Sequence, residues 1–250
     1  MNSSKLPSIS GSTLKIIAII SMLIDHTGAA VIRPLRSALP PDAFALQQFL
    51  NTLYPLMRGI GRLAFPIFCF LLVEGFLHTR SAARYAGRLF LFALISELPF
   101  DFALANRLFS NHHQNVYFTL LIGLLVMMGI SFFEQKTAQN AFQYWGYVLL
   151  EALVAAGGLL LAKYMYTDYG FKGVLLIEVL YFLRSDRRIQ AVLGAVTISW
   201  ETWAPLAFVP IWFYNGQRGR QMKYFFYWFY PAHLILLGFI KLAITGNFQI

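Results

Sequence analysis

The 250-residue chain is 58% hydrophobic and 17% aromatic but only 12% charged, about half the charged fraction of an ordinary soluble domain. Apolar runs of about 18 or more residues recur along it, each long enough for a transmembrane helix, which excludes a soluble globular protein and points to a polytopic membrane protein. The net charge of +9 is assigned to basic loops facing the cytoplasm and anionic lipid rather than to nucleic acid. Cys69, the single cysteine, excludes an intrachain disulfide and a thiol metal cluster.

The chain opens on the short polar MNSSKLPSIS, and no small-residue cleavage pattern follows the first apolar run, so residues 14–32 are read as a retained span rather than a signal peptide. Further spans are expected at 55–77, 89–105, 116–133, 144–162, 171–183 and 224–244. Two shorter apolar pieces, 189–200 and 204–214, flank the tetrapeptide WETW. They fit a re-entrant hairpin, two tilted short helices, or one helix broken near Pro205 and Pro210, with irregular backbone tolerated only where protein or water satisfies it. The longest connection is 33–51, whose AFALQQFL is suited to the membrane surface. The expected fold is therefore all-α: a transmembrane helix bundle of about eight or nine membrane segments, forming one domain over residues 1–250.

Basic residues choose an orientation. Arg80, Arg84 and Arg88 share one loop, Arg184, Arg187 and Arg188 another, and Arg218, Arg220 and Lys223 a third. An N-terminus inside and a C-terminus outside puts all three on the cytoplasmic side, provided the two short pieces enter and return.

Ionisable residues inside a bilayer are costly and by default mark function. The first span, LKIIAIISMLIDHTG, carries Lys15, Asp25 and His26. Lys15 and His26 are eleven residues apart, so they share a helix face about 16 Å apart along the axis, whereas Asp25 lies about 100° round from His26 and should meet another span. A cation at the inner rim and a proton-transfer group deep inside suit a long substrate with an anionic head and a reactive far end. The alternative is a histidine that only packs helices together.

In MRGIGRLAFP, Arg58 and Arg62 share a face in a glycine-rich setting that admits a close neighbour. They are candidates for anion binding or for ion pairs with nearby spans, Glu97 and Asp101 of SELPFD being possible partners. Glu74 is expected to pair with a Lys or Arg of the first or second loop, and Asn115 could offer its amide to a ligand. His233 in YPAH is a candidate second proton carrier. The adjacent His112 and His113 have no third metal ligand at a usual spacing, so no metal is expected. No GxSxG, CxxC, HExxH, Walker loop or dinucleotide fingerprint occurs.

The blocks LKIIAIISMLIDHTG, YPLMRGIGRLAFPIFCFLLVEGFLHTR, RYAGRLFLFALISELPFDFAL, QNVYFTLLIG and FFYWFYPAHLILL resemble, in order and over most of the chain, the TraX family. That family is associated with N-terminal acetylation of pilin and is similar to a wider group of membrane acyltransferases. The resemblance implies acetyl-CoA as acyl-donor substrate and the bacterial inner membrane as location. It implies an acceptor amine or hydroxyl, on a pilin-like protein or a saccharide. It also implies His26 as the catalytic base of a motif in which a basic residue, here Lys15 in place of the commoner Arg, precedes the histidine by eleven positions. Asp25 or Glu97 would orient or balance His26, and Lys15, Arg58, Arg62 and Asn115 would serve the CoA head group. A transporter with an intramembrane proton or solute path and a non-catalytic pilus-assembly factor are the rival readings.

Overall fold

A computed structural model describes residues 8–105, 113–220 and 222–246, and over these the chain is helical, with isolated bridges in place of strands. The helices are α1 (Gly11–Thr27), α2 (Arg33–Ala38), α3 (Phe44–Gly61), α4 (Ala64–Leu77), α5 (Ala82–Phe100), α6 (Val116–Glu134), α7 (Ala141–Tyr164), α8 (Gly170–Phe182), α9 (Arg187–Thr197), α10 (Phe208–Trp212) and α11 (Lys223–Thr245). Among the described residues five helical segments are long and apolar enough to cross a bilayer: Gly11–Ala38, Phe44–Leu77, Val116–Glu134, Ala141–Tyr164 and Tyr224–Thr245. This is a membrane protein, with five such segments against the eight or nine expected. The difference has local causes. α8 has 13 residues and at about 1.5 Å per residue falls short of a bilayer core. α5 carries Arg84, Arg88 and Glu97, and the 189–214 region is broken into α9, a short 3₁₀ turn and α10.

The connection expected at 33–51 is also corrected. A π turn at Gly28–Ile32 joins α1 to α2 without a break, and AFALQQFL, read as surface-lying, continues as helix through Pro55 as the first half of α3. Only residues 39–43 link them.

The chain divides into two compact units. The first holds the described residues of Met1–Phe68, Ile95–Ser110 and Gly194–Ile250. Here Ser10 caps α1 by accepting the Thr13 N–H at 3.3 Å, satisfying one of the donors a helix start leaves open. The segment leading to α11 is knitted to this same end. Ile9 N–H donates to the Phe213 carbonyl (2.9 Å), Asn215 N–H to Ile9 (3.0 Å) and Gly11 N–H to Gln217 (2.8 Å). Lys15 lies over the Phe226 ring at 5.4 Å and His26 meets His233, so α1 and α11 start together and run parallel. Farther along, α11 packs on the π turn Asp101–Ala105 that closes α5, with Phe102 against Gly238. There the Lys241 ammonium donates to the Ala103 carbonyl at 3.0 Å, satisfying an acceptor at the chain's exit from the helix.

The second unit, Cys69–Leu94 and the described residues of Asn111–Leu193, is built on α6, α7 and α8. Glycines let these helices close on one another: Ile177 lies on Gly123, Val154 on Gly129 and Val126 on Gly158, the small-residue contact that membrane helices use where lipid supplies no hydrophobic drive. Only 11% of the most apolar window of α7 is buried, and Phe142, Leu149, Leu153 and Leu160 lie exposed on it. An apolar face of that extent is a lipid-facing surface in a membrane protein.

Candidate active site

Periodicity on α1 sends neighbouring polar residues to different helices of the first unit. Asp25 is buried and faces α3, where its Oδ2 accepts from Arg58 Nη1 at 2.7 Å. Its carboxylate sits against Gly61, where a Cβ would run into the Asp25 side chain. The glycine-rich MRGIGRL thus admits neighbouring side chains: Asp25 at Gly61, and the Trp203 indole at Gly59, where a Cβ would lie 2.7 Å from the ring. Arg62, just beyond the end of α3, pairs through Nε with Glu201 Oε2 at 3.1 Å. The turn at WETW therefore sits on the end of α3, held by one ion pair and one indole.

His26 faces α11. Its Nδ1 lies 2.7 Å from His233 Nε2. The ring centroids are 5.0 Å apart and the planes 3° from parallel. A 2.7 Å nitrogen–nitrogen distance leaves about one ring radius on either side, so the rings meet edge to edge in a common plane, the geometry a linear hydrogen bond requires. His233 is buried, and its Nδ1 lies 2.7 Å from the Phe229 carbonyl oxygen. Tyr230 meets both imidazoles edge-on, at 5.9 Å from His26 and 5.7 Å from His233, and Phe229 lies on the His233 ring. His26 itself is partly buried and His233 is buried.

Of the residues singled out in the sequence, the structure brings together Asp25 with Arg58 and His26 with His233, while Lys15 lies near the start of the same helix against Phe226. The hydrogen bond that His26 makes among the described residues is to His233; Asp25 and Glu97, expected to orient it, do not fill that place. Glu97 is half-buried on α5 and Asp101 is buried in the π turn that follows. Asn115, in the other unit, caps α6: its Oδ1 accepts from Tyr117 N–H at 3.0 Å and its Nδ2 donates to the Ala93 carbonyl at 2.8 Å. Both ends of its amide are thus engaged in holding helices. Glu74 pairs with Arg187, a second-loop arginine, at 3.1 Å. His113 lies 3.4 Å from Asp168, and His112 falls outside the described residues. Among those residues no three His, Cys, Asp or Glu side chains converge as they would round a metal ion. Sequence reasoning missed Glu201 and Trp203, because WETW carries no periodicity that would aim them at α3.

These features define a class: a membrane protein, helical over its described residues, in which a hydrogen-bonded histidine pair lies within two helices long enough to cross a bilayer, beside a partly buried ion pair. The chain belongs to the TraX family, whose model, described as TraX protein, matches residues 10–241. It is also similar to a "Probable fimbrial assembly protein FimC, serogroup H1" of Dichelobacter nodosus, at 30% identity over 250 aligned positions that cover 92% of this chain and 94% of the relative. No solved structure matches.

Proposed function

We propose that this chain is an acetyltransferase of the bacterial cytoplasmic membrane that acts in pilus assembly. It would move an acetyl group from acetyl-CoA to an amine or hydroxyl, either the N-terminus of a pilin or a saccharide. The observation that carries this reading is the partly buried His26 imidazole, held through Nδ1 by a buried partner and sharing a helix with Lys15. A base with an orienting neighbour is the arrangement that acyl transfer uses.

In this reading the start of α1 faces the cytoplasm and receives the CoA phosphates. Lys15 supplies a cation there, and the backbone of Arg218 packs on Gly11, one turn away. Arg58 on α3 and Arg62 just beyond it already face carboxylates, Asp25 and Glu201, so Arg58 holds the α1–α3 contact beside His26 and Arg62 holds the WETW turn. The acceptor N–H or O–H attacks the thioester carbonyl while the His26 ring takes its proton. The C–S bond then breaks, and the imidazolium returns the proton to the leaving thiolate. General-base help of this kind typically contributes about 100- to 10,000-fold.

A second reading, an assembly factor without catalysis, is favoured by the relative's name and by the ion pairs, which are equally suited to holding helices together. The two separate on the pilin. Acetyl transfer requires an increment of about 42 Da, the mass of the added C₂H₂O in acyl transfer, on the acceptor from cells that contain this protein and not from cells that lack it. An unchanged mass in both, with pili assembled only when the protein is present, selects the second reading.

A further inference from the structure

We infer that His233 is a positioning residue that fixes the tautomer of His26, so that Nδ1 of His26 carries the proton and Nε2 is the basic nitrogen. This deepens the acetyl-transfer reading and rests on it for its catalytic consequence, though not for the tautomer itself.

The inference follows from which atoms can donate. The Phe229 carbonyl oxygen can only accept, so the 2.7 Å contact with it requires the His233 proton on Nδ1. In a neutral ring that leaves Nε2 of His233 with a lone pair and no proton. The 2.7 Å contact between His233 Nε2 and His26 Nδ1 then requires His26 to donate, which places its proton on Nδ1 and leaves Nε2 as acceptor. One backbone carbonyl thus sets the protonation of two rings in series, as the second hydrogen bond of an imidazole commonly sets its tautomer. The coplanar, edge-to-edge arrangement of the rings aligns the shared N–H with the lone pair. The walls supplied by Phe229 and Tyr230 restrict either ring from turning over and exchanging its nitrogens. His233 belongs to a helix more than 200 residues along the chain from His26, yet the interlocked starts of α1 and α11 fix their register.

The test uses the full-length, nitrogen-15-labelled protein in lipid nanodiscs. The expected spectrum shows a His26 ring with protonated Nδ1 and unprotonated Nε2, assigned by loss of its signals in His26→Ala. His233→Leu should release this preference and give a mixture of tautomers. With acetyl-CoA and an N-terminal pilin peptide as acceptor, His233→Leu should lower kcat by about 10- to 100-fold, the usual effect of removing such an orienting partner. KM for acetyl-CoA should stay unchanged. His233→Gln, whose Oε1 can still accept from Nδ1–H, should restore most of the rate. A His26 ring protonated on Nε2 in the wild type overturns the inference. So does a wild-type kcat for His233→Leu when His26→Ala is inactive. Turnover retained by His26→Ala instead overturns His26 as the base, and absence of acetyl transfer by the wild type overturns the acetyl-transfer reading; the spectrum then still decides the tautomer.

Discussion

The Asp25 carboxylate occupies the space in which any side chain at position 61 would have to begin. Gly61 is therefore required by its neighbour across the helix contact rather than by its own backbone, and Arg58, one turn earlier, completes the pocket with its 2.7 Å ion pair. Gly61→Ala should push α1 and α3 apart and destabilise the protein by about 1–3 kcal/mol, the usual cost of overpacking. Thermal unfolding in detergent reads the change, and a variant as stable as the wild type would show that the contact yields freely.

Trp203 and Glu201 make a second contact with α3. Gly59→Ala should displace the indole and shift its fluorescence emission. Glu201→Gln should weaken the hold on Arg62 by about 1 kcal/mol or less, since the pair is partly solvated. Limited proteolysis of the turn around 198–203 should speed up in both variants; unchanged cleavage would remove the turn's anchoring role.

Lys15 should act on donor binding and not on the chemical step. Lys15→Gln is expected to raise KM for acetyl-CoA roughly tenfold, in line with losing one charge-assisted contact, while kcat changes little. Lys15→Arg should keep or improve KM, because guanidinium recognises phosphate in two-point fashion. A fall in kcat alone would place Lys15 elsewhere in the reaction.

In the second unit, Glu134 accepts from Tyr181 Oη at 2.8 Å and from Arg184 Nη2 at 2.9 Å. Glu134→Ala should cost about 1 kcal/mol or less of stability, since its pair with Arg184 is partly solvated. Turnover per folded molecule should stay the same. A selective loss of turnover would show that this network bears on the reaction.

Much of this was legible in the sequence, for identifiable reasons. The helical period placed Lys15 and His26 on one face and sent Asp25 elsewhere, and the structure has the first two toward α11 and the third toward α3. Glycines at 59 and 61 announced close neighbours. Which neighbours they are was not readable, because Trp203 and Glu201 come from a turn with no period, and the pairing of His26 with His233 joins opposite ends of the chain. The prolines within 33–51 make that stretch read as a connection. Pro34 instead follows the π turn within a helix continuous from α1, and Pro55 is accommodated inside α3.

The central claim is that His26 is the base of an acetyl transfer, and its most direct test is labelled acetyl transfer from acetyl-CoA by purified His26→Ala, with folding confirmed by its thermal unfolding transition. The account predicts a fall of about 100- to 10,000-fold relative to wild type. Turnover within a few fold of wild type would contradict it.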